Sequence, residues 1–171
     1  MRDHRPDSTA VADFCTRAVV HVETLQSVAE AARLMREHHV GSVVIVEHDG
    51  SSMRPIGMIT DRDIAVAVVA QGLDPASTPA IGVMGTGVVS IGEGEGVDRA
   101  LELMRAKGVR RLPVVDPAGL LVGIITADDL IDFVAGETSG LSEMLGRELA
   151  RERMLRPEGH ADVAGAAAAR Y

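Results

Sequence analysis

Two short phrases carry the residue types needed to hold a polar ligand. Thr60-Asp61-Arg62-Asp63 follows an apolar run ending at Ile59, and Thr126-Ala127-Asp128-Asp129 follows one ending at Ile125. In both, a threonine and an aspartate stand three residues apart. At a helix start that spacing is an ordinary capping box. It also places a carboxylate, an acceptor for hydroxyl groups, at the first turn, where it suits sugar hydroxyls better than an anion. The unpaired N–H groups of that turn favour a nearby anion by about 0.3–1 kcal/mol. Arg110 and Arg111 supply guanidinium forks that match phosphate oxygens, and Arg62 is a further candidate. Capping and ligand binding are compatible roles, and the residues alone leave both open.

Other chemistry finds little support. The stretch "GEGEG" (92–96) looks like a phosphate loop, but its two glutamates repel phosphate and it lacks the lysine of a P-loop. His38 and His39 are adjacent, so they point to different helix faces, and with His21 they form no metal-ligand spacing. There is no GxSxG and no cysteine–histidine nucleophile pair. The expectation is a protein without catalysis and without a metal site.

The elements that must position these residues are written twice. Residues 18–46 align with 87–115 at an offset of 69, with Val19/Val88, Val20/Val89, Val28/Val97, Ala31/Ala100, Leu34/Leu103, Met35/Met104, Arg36/Arg105 and Val40/Val109 identical. After a longer loop in the first copy the offset becomes 66, aligning "GMITDRD" (57–63) with "GIITADD" (123–129). Each copy opens with an extended piece, 18–22 or 87–91. A helix follows, with Val28, Ala31, Ala32 and Met35, or Val97, Ala100, Leu101 and Met104, at i, i+3, i+4, i+7. Ser27 and Glu30 predict a capping box at the first of these helices, and Gly108 a left-handed stop at the second. Two apolar runs, 42–46 and 55–59 or 112–115 and 121–125, flank turn residues and predict a hairpin. A second helix runs from each threonine to about Gly72 or Gly136. One such unit has too few strands to stand alone, so two must bury what each leaves exposed.

The 171 residues suffice for a real core, but without Trp, and with one Tyr and two Phe, that core must be aliphatic. A net charge of −8 argues against a nucleic-acid partner held through phosphates. The single Cys15 excludes an internal disulfide and fits a reducing compartment. The first ten residues lack the apolar stretch of a signal peptide, and the longest apolar run, 64–70, is too short to span a bilayer. A cytoplasmic protein with no membrane partner is expected. The expected organisation is a flexible 1–10, a first repeat 11–72, a linker 73–80, a second repeat 81–136, an amphipathic helix 139–156 and a flexible tail 157–171.

The order strand–helix–strand–strand–helix, with "VVHVETLQSVAEAARLMREHHVGSVVIV" and "IGMITDRDI" in one copy and "VVSIGEGEGVDRALELMRAKGVRRLPVVD" and "VGIITADDL" in the other, resembles the CBS domain. The pair resembles a tandem CBS (Bateman) module of the bacterial stand-alone type over roughly residues 11–136. The resemblance implies an α/β (α+β) fold of two repeats packed as a pseudo-twofold pair, here with an added C-terminal helix. It implies a regulatory module that binds AMP, ADP or ATP, with or without Mg²⁺, in clefts between the repeats, and no obligatory cofactor. It further implies a homodimer forming a four-repeat disk and an effector protein that reads the ligand state. Carried over to this sequence, one site takes ribose on Thr126 and Asp129, phosphate on Arg110 and Arg111, and adenine on Val89, Ser90, Leu112 and Pro113. The other takes ribose on Thr60 and Asp63, with Val20, His21, Ser42, Val43 and Arg62 around it. The first copy departs from the family pattern, with Gly41-Ser42 in place of Arg110-Arg111 and Val44 in place of Pro113, so the weaker site is expected there. Alternatives are a sensor for S-adenosylmethionine, which shares the ribose and adenine contacts, and a ligand-free structural module.

Overall fold

A computed structural model describes residues 9–85 and 87–136, together with Met144 and Arg147. The expected helix 139–156, apart from those two helical residues, and the tail 157–171 lie outside the described residues. The chain divides into two compact units, Met1–Ile131 and Asp132–Tyr171. In the second, residues 132–136 are helical. All six strands belong to the first.

Each copy builds one three-stranded sheet. In the first, β1 (His21–Glu23) pairs in parallel with β2 (Ser42–Asp49), and β2 pairs antiparallel with β3 (Ser52–Thr60). In the second, β4 (Ile91–Gly92), β5 (Arg111–Val115) and β6 (Leu121–Thr126) repeat that order and those directions. Helices α1 (Val28–His38) and α3 (Val97–Lys107) make the crossovers between the parallel strands. Both hairpins carry a bulge at the equivalent place, Ile45/Val46 and Val114/Val115. The opening strands are shorter and later than expected. Residues 18–20 and 87–90 lie outside any strand, although Val44 N–H still bonds the Val20 carbonyl at 3.1 Å.

Local chemistry sets most element ends. Ser27 caps α1, its Oγ accepting from Glu30 N–H at 3.2 Å. The reciprocal half of the expected box is missing because the Glu30 carboxylate turns to Arg33, at 2.7 and 3.0 Å. Gly108 ends α3 at φ +66, and His39 takes the same left-handed conformation at the end of α1, φ +54. The hairpin turns use Gly50 and Gly119, both at positive φ. After Thr60 comes α2 (Asp61–Asp63), which continues as a π-helix over Ile64–Val69 and stops short of Gly72. Its counterpart in the second copy, 127–136, is regular α-helix.

The two cores each borrow from the other copy. Val22, Val28, Ala31, Met35, Val43, Ile45, Ile59 and Val68 form one cluster, joined by Ala80, Val83 and Met84 from the segment leading into the second repeat. Ile91, Ala100, Met104, Leu112, Val114, Ile125 and Leu130 form the other, joined by Val11, Phe14 and Cys15 from the segment leading into the first. Each exchange is fixed by backbone bonds. Thr16 pairs with Ile124 and Ala10 with Gly96, while Ser27 pairs with Pro79. The borrowed segments also satisfy helix N-termini. Thr78 and Pro75 carbonyls accept from Val28 and Ala29 of α1, and Thr9 accepts from Val97 of α3. The segment leading into the first repeat thus packs into the second core, paired at Thr9 and Ala10, and within 73–80 Asp74 bonds Ala76, Ser77 and Thr78. Leu101, expected on the buried stripe of α3, is 48% exposed.

Candidate functional site

Both Thr-x-x-Asp phrases fold into the same clamp. Thr60 N–H and Oγ1 donate to Asp63 Oδ2 at 2.9 and 2.7 Å, while Asp63 N–H donates back to Thr60 Oγ1 at 3.2 Å. For Thr126 and Asp129 the same three distances are 2.7, 2.8 and 3.2 Å. Each threonine hydroxyl donates its one proton to its own aspartate, so it can offer a ligand only a lone pair. Each aspartate spends Oδ2 on the clamp, which leaves Oδ1 directed by a fixed ring and available to an outside donor. The cap thus positions the carboxylate.

The two repeats meet at a cavity of about 580 Å³. From the first repeat it is lined by Met58, Thr60, Asp61, Arg62 and Asp63. From the second come Val88, Val89, Lys107, Val109, Arg110, Arg111 and Pro113, with Gly85 and Gly87 of the preceding segment and Gly108 of the turn after α3. The structure therefore brings the Thr60–Asp63 clamp and Arg62 together with Arg110, Arg111, Val89 and Pro113. This differs from the expected grouping, in which those four served the Thr126–Asp129 clamp. Arg111 and Thr126 are cross-strand partners, but the cavity wall holds neither Thr126 nor Asp129.

Several expected contacts fall elsewhere. Leu112 is fully buried, and Val43 is 1% exposed; each points into its own repeat's core, so neither side chain can meet a base. Strand alternation is the reason: Arg111 and Pro113 occupy one face of β5, and Leu112 and Val114 the other. Ser42 is buried opposite Thr60, outside the cavity wall. Val20 packs against the first core, and His21 Nδ1 lies 3.1 Å from the Val19 carbonyl. Ser90 is half-buried and also outside the wall. Two charged wall residues escaped the sequence reading, Asp61 and Lys107. The signal for Lys107 was its uniqueness, at the last position of α3 beside Gly108.

Electrostatically the cavity is a cationic cup with two carboxylates at one side. Lys107, Arg110 and Arg111 of the second repeat share the wall with Asp61, Arg62 and Asp63 of the first. Gly41, whose carbonyl accepts from Asp61 N–H at 3.1 Å, leaves room at this edge. A Cβ there would stand 3.3 Å from Asp61 Oδ2 and 3.7 Å from an Nη of Arg111. At the aligned positions around Thr126–Asp129 stand Asp128 for Arg62, His38 for Lys107, Gly41 for Arg110 and Ser42 for Arg111. The duplicated clamp is retained, while these four aligned positions hold neither lysine nor arginine. Among the described residues, no group of three or more His, Cys, Asp or Glu could hold a metal ion, and no helix is long and apolar enough to cross a membrane.

Comparison with known proteins agrees with this architecture. The CBS domain family model matches residues 11–70 and again 80–136. A CBS domain-containing protein of Bacillus subtilis, YhcV, is 39% identical over 133 residues, covering 77% of this chain and 91% of that protein. An uncharacterized protein of Methanopyrus kandleri is 40% identical over 124 residues, 72% of this chain but only 62% of the relative. A CBS domain protein of Pyrobaculum aerophilum complexed with AMP superposes with a TM-score of 0.64 at 28% identity, over 71% of this chain and 89% of that one. The CBS domain pair of protein MJ0100, in complex with 5′-methylthioadenosine and S-adenosyl-L-methionine, gives 0.67 at 28% identity, over 77% and 99%. With both halves matched and both sheets built to one plan, the chain belongs to the CBS domain family and carries the domain as a tandem pair.

Proposed function

We propose that this CBS pair is a non-catalytic sensor that binds an adenine nucleotide, AMP, ADP or ATP, in the cavity between its repeats. The observation that carries the reading is the cavity wall itself: a preset Asp63 carboxylate beside Arg62 from one repeat, and Lys107, Arg110 and Arg111 from the other. Asp63 Oδ1 accepts from the ribose hydroxyls, Arg110, Arg111 and Arg62 take the phosphate, and the base lies against Val89 and Pro113. A volume of about 580 Å³ falls within the usual range for small-molecule sites, roughly 300–1,000 Å³. The AMP-bound relative supports the ligand class.

The MJ0100 complex raises S-adenosylmethionine as a second ligand. Its sulfonium is a cation and it has no phosphate, so the cationic wall disfavours it here. The Thr126–Asp129 clamp lacks the flanking cations, so we expect one nucleotide per chain. Binding biases the arrangement of the two repeats, and an effector protein reads that bias, with a homodimer of four repeats as the working assembly.

Calorimetric titration and thermal melts with AMP, ADP, ATP and S-adenosylmethionine, with and without Mg²⁺, test the reading. A ligand at 100 times its Kd adds about 2.7 kcal/mol, a melting shift on the order of 5–10 °C. Arg111→Gln should abolish most of the nucleotide shift. No shift with any phosphate-bearing adenosine compound at millimolar concentration refutes the reading.

A further inference from the structure

Asp61 is the wall residue that a phosphate site does not need. It heads α2 between Thr60 and Arg62, and its counterpart in the second repeat is Ala127. The Thr126–Asp129 clamp closes with the same geometry without a carboxylate there, so Asp61 is not part of the clamp chemistry. Its Oδ1 accepts from Arg62 N–H at 2.7 Å, and its Oδ2 would stand 3.3 Å from a Cβ at Gly41. Into the same space, from the other repeat, comes the Arg111 guanidinium, and both groups lie within 4 Å of the point where a Gly41 side chain would begin. No closed ion pair joins them among the described residues, so they face each other at a distance where the attraction acts yet a third group can enter. In the second repeat Arg110 fills the position of Gly41, so this clearance exists only here.

We propose that Asp61 is a specificity-determining residue: its carboxylate competes with the ligand's phosphate for the Arg111 guanidinium, holding down affinity for phosphate in the resting protein. Phosphate entry draws the Arg111 guanidinium toward the ligand and away from the field of repeat one's carboxylate, which links occupancy to the contact between repeats. The inference rests on the reading of this cavity as a phosphate site. The opposing anion lies several ångströms from the phosphate position in a partly solvated cleft, so its removal should tighten phosphate binding roughly 3–10-fold. The gain should grow with ligand charge and vanish for an uncharged nucleoside. A mere helix-dipole role for Asp61 would alter stability without that charge dependence.

The test is calorimetric titration of the full chain in EDTA at fixed ionic strength, with adenosine, AMP and inorganic pyrophosphate as probes. Wild type is compared with Asp61→Asn, Asp61→Ala, Arg111→Gln and the Asp61→Asn/Arg111→Gln double variant. The expected result is a 3–10-fold gain for AMP and pyrophosphate in both Asp61 variants, an unchanged adenosine affinity, and a gain below about 2-fold in the Arg111→Gln background. An equal gain in both backgrounds, no gain, or a loss overturns the proposal. If AMP binds wild type and the cycle is flat, the nucleotide reading stands and the role of Asp61 falls. If pyrophosphate alone binds and the cycle is as expected, the role of Asp61 stands and the nucleotide reading falls. If no probe binds any variant, both fall.

Discussion

Replacing Gly123 by alanine tests the exchange of leading segments where a backbone atom of the exchanged segment closes the space. A Cβ on Gly123 would stand 2.7 Å from Cys15 Sγ, 3.2 Å from Cys15 Cβ and 3.2 Å from the Thr16 carbonyl oxygen. Cys15 and Thr16 belong to the segment leading into the first repeat, yet they lie on β6 of the second, fixed there by the Thr16–Ile124 bridge. Because the nearest backbone atom is pinned by that pairing, the segment cannot retreat freely. Overpacking of this kind costs about 1–3 kcal/mol, which for a chain of this size lowers the melting temperature by roughly 2–10 °C. Cys15→Ala alone loses one partly buried sulfur, about 1 kcal/mol. Combined with Gly123→Ala it removes the closest overlap, so the double variant should be more stable than the sum of the singles by about 1 kcal/mol or more. Urea unfolding followed by circular dichroism measures all three, with Gly94→Ala as control, since nothing lies within 4 Å of a Cβ there. A Gly123→Ala cost below about 0.5 kcal/mol, or strict additivity with Cys15→Ala, refutes the crossed packing.

Three further outcomes are expected. Val11→Ala opens a cavity in the second repeat's core despite its position in the leading segment, and should lower the urea-derived stability by roughly 1–3 kcal/mol. His39→Gly relieves a left-handed conformation that Gly108 holds without penalty in the other copy, and should raise stability by up to about 1 kcal/mol in the same assay. Asp74 is held below the usual aspartate value of 3.8 by the Ala76 N–H and then the Ser77 hydroxyl, so its stabilising effect is full above that value and disappears as pH falls through its lower folded value. Asp74→Asn should accordingly flatten the acid limb of a urea-midpoint profile below about pH 4 and leave the neutral region nearly parallel to wild type.

What was legible in the sequence was local. The Thr60–Asp63 and Thr126–Asp129 clamps, the Ser27 cap, the Gly108 stop and the Gly50 and Gly119 turns each depend on residues a few positions apart. The duplication doubled that local signal, so the strand and helix order of both copies followed from it. Two features were not legible, for one reason. The residence of Val11 in the second core and Ala80 in the first depends on contacts between distant segments that no periodicity encodes. The meeting of Asp63 with Arg110 and Arg111 likewise arises across the junction of the repeats, whereas sequence order groups Asp129 with those arginines. Strand parity was not read either: Leu112 and Val43 are buried in the cores, while their neighbours Arg111 and Val44 occupy the other face of each strand.

The crossing of residues 9–16 and 78–84 sets the duplicated stretch of sequence out of step with the stretch that closes a core. A copy excised at 11–70 would lack the plug that Ala80 provides, and its own Val11 would have no socket. Two such excised copies could each lend the missing piece to the other, as an intertwined pair whose assembly depends on concentration. Joining the copies in one chain replaces that dependence with an effective concentration in the millimolar range, set by a short tether. The stretch that closes the first core then runs nearer 17–84 than 11–70.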